Sequence, residues 1–502
     1  MSFFDEMEAK IPRGVARTRF APSPTGYMHV GGLRTALYAY LVAKKLGGTF
    51  ILRIEDTDFA RFVEGSTEII IDTLNGAGLH YDEGPIIGGP VAPYTQSERK
   101  PLYRPYAELL CEKGAAYYCF CSKGHDVHEI DEEEDEPEAV AHSSLPIADL
   151  CREINYADAK KRVDEGESFA IRMKAPKEGE TTVVDMVFGE IIAQNKTLDD
   201  MILLKSDGMP TYNFANVIDD HLMGVTHVLR GSEYISSAPK YNLLYKAFDW
   251  DIPAYITVSL IMRDSKNKLS KRRGDPTYED LLKQGYLPEA ILNYVALLGW
   301  SPGGEKEIFS LQELTEVFEI KGLSKSPSIF DIGKLNHFNS EYIRALPLSE
   351  FAQIAQEYIR QAVKNEDISV EAIARILQAR CEKLSDIPEK IDFFDTLPEY
   401  DQQLYVHKKS GTDESISLDM LSAAYSALAE LSNWTNDSLH NEFIALAERQ
   451  AVKNATLMWP VRIAVSGKAV TPGGAVEICA ILGREETLKR ISSGIEKLGG
   501  GI

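Results

Sequence analysis

Residues 19–32, RFAPSPTGYMHVGG, restrict the fold more than any other stretch of this chain. Before them, VARTRFA (15–21) reads as a strand; after them, Leu33, Ala36, Leu37, Tyr40 and Leu41 fall at helical spacing. Pro22 and Pro24 exclude both helix and sheet ladder in between. Gly47-Gly48 ends the helix, and TFILRI follows as a second strand. A β–loop–α–β unit of this kind pairs its two strands in parallel.

A second such unit lies far downstream: VTHVLR (225–230) reads as a strand, SAPKYNLLYKAF as a helix and YITVSLIM (255–262) as another strand. Two half-folds predict an α/β domain, a doubly wound Rossmann-type parallel sheet assembled from residues 1–97 and 213–262. An α+β insertion, 98–212, splits it. Within the insertion, DEEEDEPE (131–138) reads as a solvated loop and MILLKSDGMPTYNF as a hairpin around Asp207-Gly208. LPEAILNYVALLGW is helical, and from about residue 345 onward helical periodicity dominates, which predicts an all-α region. A length of 502 residues suits this number of domains.

Composition narrows the setting. No window approaches the roughly 20 apolar residues of a membrane span. The acidic start MSFFDEMEAK lacks the apolar core of a signal peptide. Six cysteines fit a reducing compartment, so the expected location is cytoplasmic, with no membrane partner. A net charge of −22 argues against a non-specific coat on nucleic acid and leaves room for a local basic track.

The opening loop leaves a strand and enters a helix, so helix N–H groups and the macrodipole favour a phosphate there. Gly26, Gly31 and Gly32 let a nucleotide approach the backbone, Pro24 fixes the loop, and His29 can donate a hydrogen bond to a phosphate oxygen. After the last strand of the second half-fold comes RDSKNKLSKRRGD (263–275), with Lys266, Lys268, Lys271, Arg272 and Arg273 on one loop. Such a loop can close over a triphosphate and its departing pyrophosphate. LSKS (323–326) lies beyond the sheet and reads as structural. DDHL (219–222) offers metal-ligand types, but consecutive residues rarely converge on one ion, so a helix end is expected.

These stretches resemble the class I aminoacyl-tRNA synthetases, specifically the glutamyl branch. APSPTGYMHVGG is similar to that family's HIGH signature, with Gly32 in place of the second histidine, and KLSKR (268–272) is similar to its KMSKS signature. RIEDTD (53–58), PTYNFANVIDDHLMG (210–224) and LPEAILNYVALLGW (287–300) follow in the family's order. The resemblance implies ATP-dependent attachment of L-glutamate to the 3′ end of tRNA(Glu), with Mg2+ and with tRNA needed for the activation step. It implies an acceptor-end role for 98–212, a helical stem-contact region at 263–344 and anticodon binding at 345–502. A glutaminyl enzyme, or a nucleotidyltransferase with an HxGH-type loop, are the alternatives.

By the same resemblance, His29, Lys268 and Lys271 are catalytic, and Pro24, Gly26, His29, Gly31, Gly32, Leu269, Ser270 and Lys271 hold ATP. Arg19, with Tyr212 and Asn216, takes the side-chain carboxylate of glutamate, Arg230 the α-carboxylate, and Glu55 with Ser23 the α-ammonium. The two arginines could be exchanged. Cys119, Cys121 and Cys151 resemble the zinc ligands of some members. Ile147 stands where the usual fourth ligand, a tyrosine, would be, leaving His125, His128 or His142 as replacements or three reduced cysteines without metal. If tRNA(Gln) is also charged, an amidotransferase would be a further partner.

Overall fold

A computed structural model describes residues 2–57, 63–121, 150–269 and 274–501. The chain packs as two compact units, Met1–Leu281 with Ile291–Ile332, and Leu282–Ala290 with Gly333–Ile502. In the first, the strands are β1 (Arg17–Phe20), β2 (Thr49–Leu52), β3 (Ala116–Cys119), β4 (Ala170–Met173), β5 (Glu180–Asp185), β6 (Gly189–Gln194), β7 (Ile202–Leu204), β8 (His227–Gly231), β9 (Ala254–Val258), β10 (Ile261–Met262) and β11 (Ser328–Ile329). The main sheet runs β2-β1-β8-β9-β5-β6. All pairings in it are parallel except β5–β6. Order reverses between β1 and β8, so a crevice opens at the carboxyl ends of those strands.

The two faces of β1 divide its labour. Thr18 donates to the Ala39 carbonyl of helix Val30–Lys45 at 2.8 Å, and that helix buries Leu33, Ala36, Leu37, Tyr38 and Leu41 completely. Arg17 and Arg19 lie two apart and share the opposite face. Arg17 forms a bidentate pair with Glu83, at 2.8 and 2.7 Å, and Tyr94 donates to the same carboxylate. Arg19 faces helix Tyr212–Leu222.

Two expectations need correction, and a third, the hairpin, is met in shortened form. YITVSLIM is not one strand: Ser259-Leu260 break it, and β10 leaves the main sheet to pair with β11. The hairpin at Asp207-Gly208 has a tight turn, Lys205 N–H donating to the Met209 carbonyl at 2.8 Å, but its return arm is a single bridge at Pro210. Proline cannot extend a ladder, and Tyr212 already starts a helix. The β5–β6 hairpin, inside residues 98–212, joins the main sheet, whereas β3, β4 and β7 form a separate antiparallel sheet.

The second unit carries helices and, among the described residues, no strand. Its longest helices, Leu348–Ala362, Glu414–Glu430, Asn436–Arg449, Asn454–Ser466 and Ala475–Lys497, surround an apolar core that includes Phe351, Leu421, Phe443, Leu457 and Ile478. Among the described residues, no helix is long and apolar enough to cross a membrane.

Glu83→Gln should leave the Arg17 guanidinium, 2% exposed, without its countercharge. A loss of about 3–5 kcal/mol in unfolding free energy is expected, read as a lower urea midpoint for the first unit.

Candidate active site

The Pro-rich loop is pinned through its carbonyls. Pro22 accepts from the Glu55 N–H at 3.0 Å, and Pro24 accepts from the Val63 N–H at 3.1 Å and the Ser66 hydroxyl at 3.0 Å. Prolines lack an N–H yet keep a full acceptor, so the loop is fixed on the end of β2. Ser23 sits between them, its carbonyl accepting from the Thr25 N–H. Gly26 takes a positive φ of 112°.

His29 has a second task that the sequence did not reveal. It caps helix Val30–Lys45, its Nδ1 accepting from the Gly32 N–H at 3.1 Å. The Gly32 N–H is therefore engaged by this side chain. With Nδ1 accepting, the proton of the neutral ring resides on Nε2, which is the donor. Gly31 is needed for this geometry, because a Cβ there would lie 2.9 Å from the His29 ring.

The second loop meets the first at its base. Thr277 bridges His29 in antiparallel fashion, and Tyr278 N–H donates to the Met28 carbonyl at 3.3 Å. Lys268 bridges Met262, and Leu269 N–H donates to the Ile261 carbonyl. Asp264 accepts from the N–H groups of Lys266 and Asn267, and Arg263 pairs with Asp275 at 2.7 Å across the two ends of the loop. Ser270, Lys271, Arg272 and Arg273 lie outside the described residues. LSKS is structural: Ser324 N–H donates to the Gly299 carbonyl, and Lys325 to that of Phe188.

In the crevice, four buried side chains alternate in charge. Glu55 Oε1 accepts from Arg53 at 2.7 Å, Arg53 donates to Asp220 Oδ1 at 2.7 Å, and Asp220 accepts from Arg19 Nε at 3.1 Å. Arg19 also donates to the Leu229 carbonyl and to Asn216 Oδ1, while Asn216 Nδ2 donates to Glu55. Glu55 Oε2 is buried and, among the described residues, has no hydrogen-bond partner. Burial lifts the Glu55 carboxyl to about 7, although Arg53 and Arg19 pull it down. Burial also opposes charge on Asp220, but the two arginines outweigh it and its pKa falls. Arg230, at the end of β8, lies over the rings of Tyr255 and Tyr241, at 4.3 and 4.9 Å. Tyr212 stacks on Tyr234, and burial holds its hydroxyl well above the usual range, hence neutral. Arg19, Glu55, Asn216 and Tyr212 thus converge, with Arg230 on the neighbouring strand.

Sequence reasoning missed Arg53 and Asp220. Spacing could have found both: Arg53 stands two before Glu55 in RIEDTD, and Asp220 stands four after Asn216 on a helix. DDHL does close a helix, Tyr212–Leu222, and its donors diverge. Asp219 accepts from Arg99 at 2.6 Å, Tyr103 at 2.9 Å and Gln96 at 3.0 Å. His221 stacks on Trp250 with ring centroids 3.6 Å apart.

Among the described residues, the metal-donor types that converge are Cys119, Cys121 and Cys151, whose sulfurs lie within 4.8 Å of one another. Cys121 and Cys151 stand 3.6 Å apart. Tetrahedral thiolates on zinc, at roughly 2.3 Å each, stand about 3.8 Å apart, so the donor set fits. Ile147 and the candidate fourth ligands His125, His128 and His142 lie outside the described residues, as does the acidic stretch 131–138.

A Rossmann-type sheet whose switch-point crevice is flanked by these two loops defines an enzyme that activates its substrate with a nucleotide. Residues 15–337 match the family described as tRNA synthetases class I (E and Q), catalytic domain, and residues 350–495 match an anticodon binding domain. The glutamate–tRNA ligase of Clostridium botulinum is 53% identical over 96% of this chain and 98% of its own. A glutamate tRNA ligase from Elizabethkingia meningosepticum, solved in complex with its amino acid, superposes with a TM-score of 0.84 at 34% identity, covering 97% of this chain and all of that one. The glutamate-tRNA synthetase of Elizabethkingia anophelis gives 0.83 at 33% identity, covering 96% of this chain and all of its own. The chain belongs to the glutamate–tRNA ligase family.

The raised pKa of Glu55 sets a sign for pH dependence. Folded Glu55 holds its proton up to about 7, against 4.5 for the free group. Its contribution to stability is therefore complete below 4.5 and lost as pH climbs through about 7. Urea titrations across that window should show wild-type stability falling with pH relative to Glu55→Gln; parallel curves would contradict the shift.

Proposed function

We propose that this chain activates L-glutamate with ATP and transfers it to the 3′ end of tRNA(Glu). The observation that carries this reading is the charge of the crevice. Arg19 and Arg53 pair with Asp220 and Glu55, and Arg230, on the neighbouring strand, adds a further positive charge. L-glutamate bears two carboxylates and one ammonium, so its single negative charge completes the site, whereas glutamine leaves it uncompensated. Arg19 takes one carboxylate, with Asn216 and Tyr212; Arg230 takes the other. The ammonium faces Glu55 Oε2, with Ser23 beside it.

ATP phosphates lie at the N–H groups of Val30 and Gly31, along the loop of Pro24 and Gly26, with His29 Nε2 donating and Gly32 held by the His29 ring. Lys268 and Lys271, with Leu269 and Ser270, serve ATP and its departing pyrophosphate. Mg2+ accompanies ATP and neutralises phosphate charge. The α-carboxylate attacks the α-phosphorus and pyrophosphate leaves; the terminal ribose hydroxyl of tRNA then attacks the activated carbonyl and AMP leaves. Positioning and charge stabilisation suffice for both steps.

In this reading residues 98–212 receive the acceptor end, 263–344 contact the stem and 345–502 bind the anticodon, in the cytoplasm. Cys119, Cys121 and Cys151 would hold a zinc ion that braces the acceptor-end region. Elemental analysis should find about one zinc per chain, and Cys119→Ser should lose it; metal-free protein with full activity would return the cysteines to plain thiols.

Pyrophosphate exchange with each amino acid, with and without tRNA, tests the whole reading. Exchange with glutamate that requires tRNA(Glu) is expected, and exchange with glutamine would favour the glutaminyl alternative. Robust exchange without tRNA would rule out coupling between tRNA and the active site. Charging tRNA(Glu) and tRNA(Gln) side by side decides whether an amidotransferase partner is called for.

A further inference from the structure

We propose that Arg53 and Asp220 are positioning residues that set glutamate selectivity without touching the substrate, by holding Glu55 and Arg19 at the two ends of one buried ion chain. The inference rests on the reading of the crevice as the glutamate site and adds the residues that build it.

The chain runs Glu55–Arg53–Asp220–Arg19, with links of 2.7, 2.7 and 3.1 Å. Its ends differ from its middle. Glu55 spends Oε1 inside the chain and keeps Oε2 buried with no hydrogen-bond partner among the described residues. Arg19 gives Nε to Asp220, one Nη1 proton to Leu229 and one Nη2 proton to Asn216. A guanidinium has five N–H groups, so one on each Nη remains for a carboxylate. The ends therefore present an acceptor for an ammonium and a donor fork for a carboxylate. All four are buried, but the middle is committed inward: Arg53 bonds to Glu55 and Asp220, and Asp220 to Arg53 and Arg19. Each middle residue binds both neighbours at once, so the middle fixes the distance between the two ends.

The adjacent Asp219 supplies an internal control. It is equally buried and ion-paired, but its partners are Arg99, Tyr103 and Gln96 rather than Arg19 or Arg53. Consecutive helical residues face different directions, so one aspartate braces the first unit and the other aims the site.

Asp220→Asn preserves shape but gives up one acceptor. An amide oxygen at the Oδ1 position can still accept from both guanidiniums, but without a negative charge, and the NH2 replaces the Oδ2 that Arg19 Nε meets at 3.3 Å. Arg19 then loses its countercharge and half of its two-oxygen brace. The expected result is a rise of at least about tenfold in glutamate KM, with ATP KM unchanged and selectivity over glutamine reduced. A second readout separates positioning from loss of structure. Glu55 is faced by Arg53, Arg19, Asp220, Tyr212, Asn216 and Gln96. The negative charge of Asp220 adds to burial in raising Glu55, so the acidic limb of the pH profile for glutamate should move to lower pH in Asp220→Asn. Asp219 meets Glu55 only through Gln96, so Asp219→Asn should lower thermal stability and move selectivity and limb far less than Asp220→Asn.

Arg53→Lys tests the same chain should Asp220→Asn fail to fold, because one ammonium cannot span Glu55 and Asp220 as the guanidinium does. Singles and the double variant should be non-additive in glutamate KM. Wild-type enzyme that activates glutamine as readily as glutamate overturns the functional reading. Selective wild-type enzyme whose Asp220→Asn or Arg53→Lys variant keeps the same KM, selectivity and pH limb overturns the positioning assignment alone.

Discussion

The Asp220 carboxylate accepts from Arg53 at 2.7 Å and from Arg19 at 3.1 Å, deep in the first unit. Removing three or four charges from water is expensive unless each is paired and fully hydrogen-bonded. Here the pairing is drawn from three elements: β1 supplies Arg19, the end of β2 supplies Arg53 and Glu55, and helix Tyr212–Leu222 supplies Asp220. None of the three can shift without leaving a buried charge alone. The crevice is rigid for that reason, and a rigid crevice can reject a ligand of the wrong charge.

The phosphate side is organised differently. It relies on backbone and loop ends rather than on buried ions. Two prolines accept from the chain beyond β2, His29 closes its own helix, and Thr277 ties the second loop to the first. The Arg263–Asp275 pair joins the second loop at its neck. The buried ion chain and the Pro-rich loop thus share β1 and its exit, Arg19 and His29 standing ten residues apart in the sequence.

Much of this was legible in the chain. The strand–loop–helix–strand unit announced itself because prolines, glycines and helical spacing each point to one conformation. Arg19, Glu55 and Arg230 were legible as strand ends. The break at Ser259-Leu260 was not, because an apolar run such as YITVSLIM has no punctuation to mark where a strand changes sheets. Placement of β5–β6 on the main sheet was hidden for a related reason: β5 meets β9, about 70 residues away, through a register that local pattern does not encode. The role of Asp220 was obscured by its neighbour, since two adjacent aspartates suggest a shared task and the helix sends them to different partners.

The pairing of β1 with β8 has a consequence for how the molecule is made. Arg17 lies 209 residues before Thr226, the residue that closes this ladder. At roughly 5–20 residues per second of synthesis, β1 emerges some 10–40 s before its inner neighbour exists. During that interval β1 has an open edge, and Arg17 and Arg19 sit on a nascent chain still lacking Met223, which accepts from Arg17, and Asp220, which pairs with Arg19. The insertion and its small sheet are synthesised inside this waiting period. The first half-fold is thus the part of the protein that depends most on being shielded at the ribosome, and a slow codon placed before β8 would lengthen that dependence.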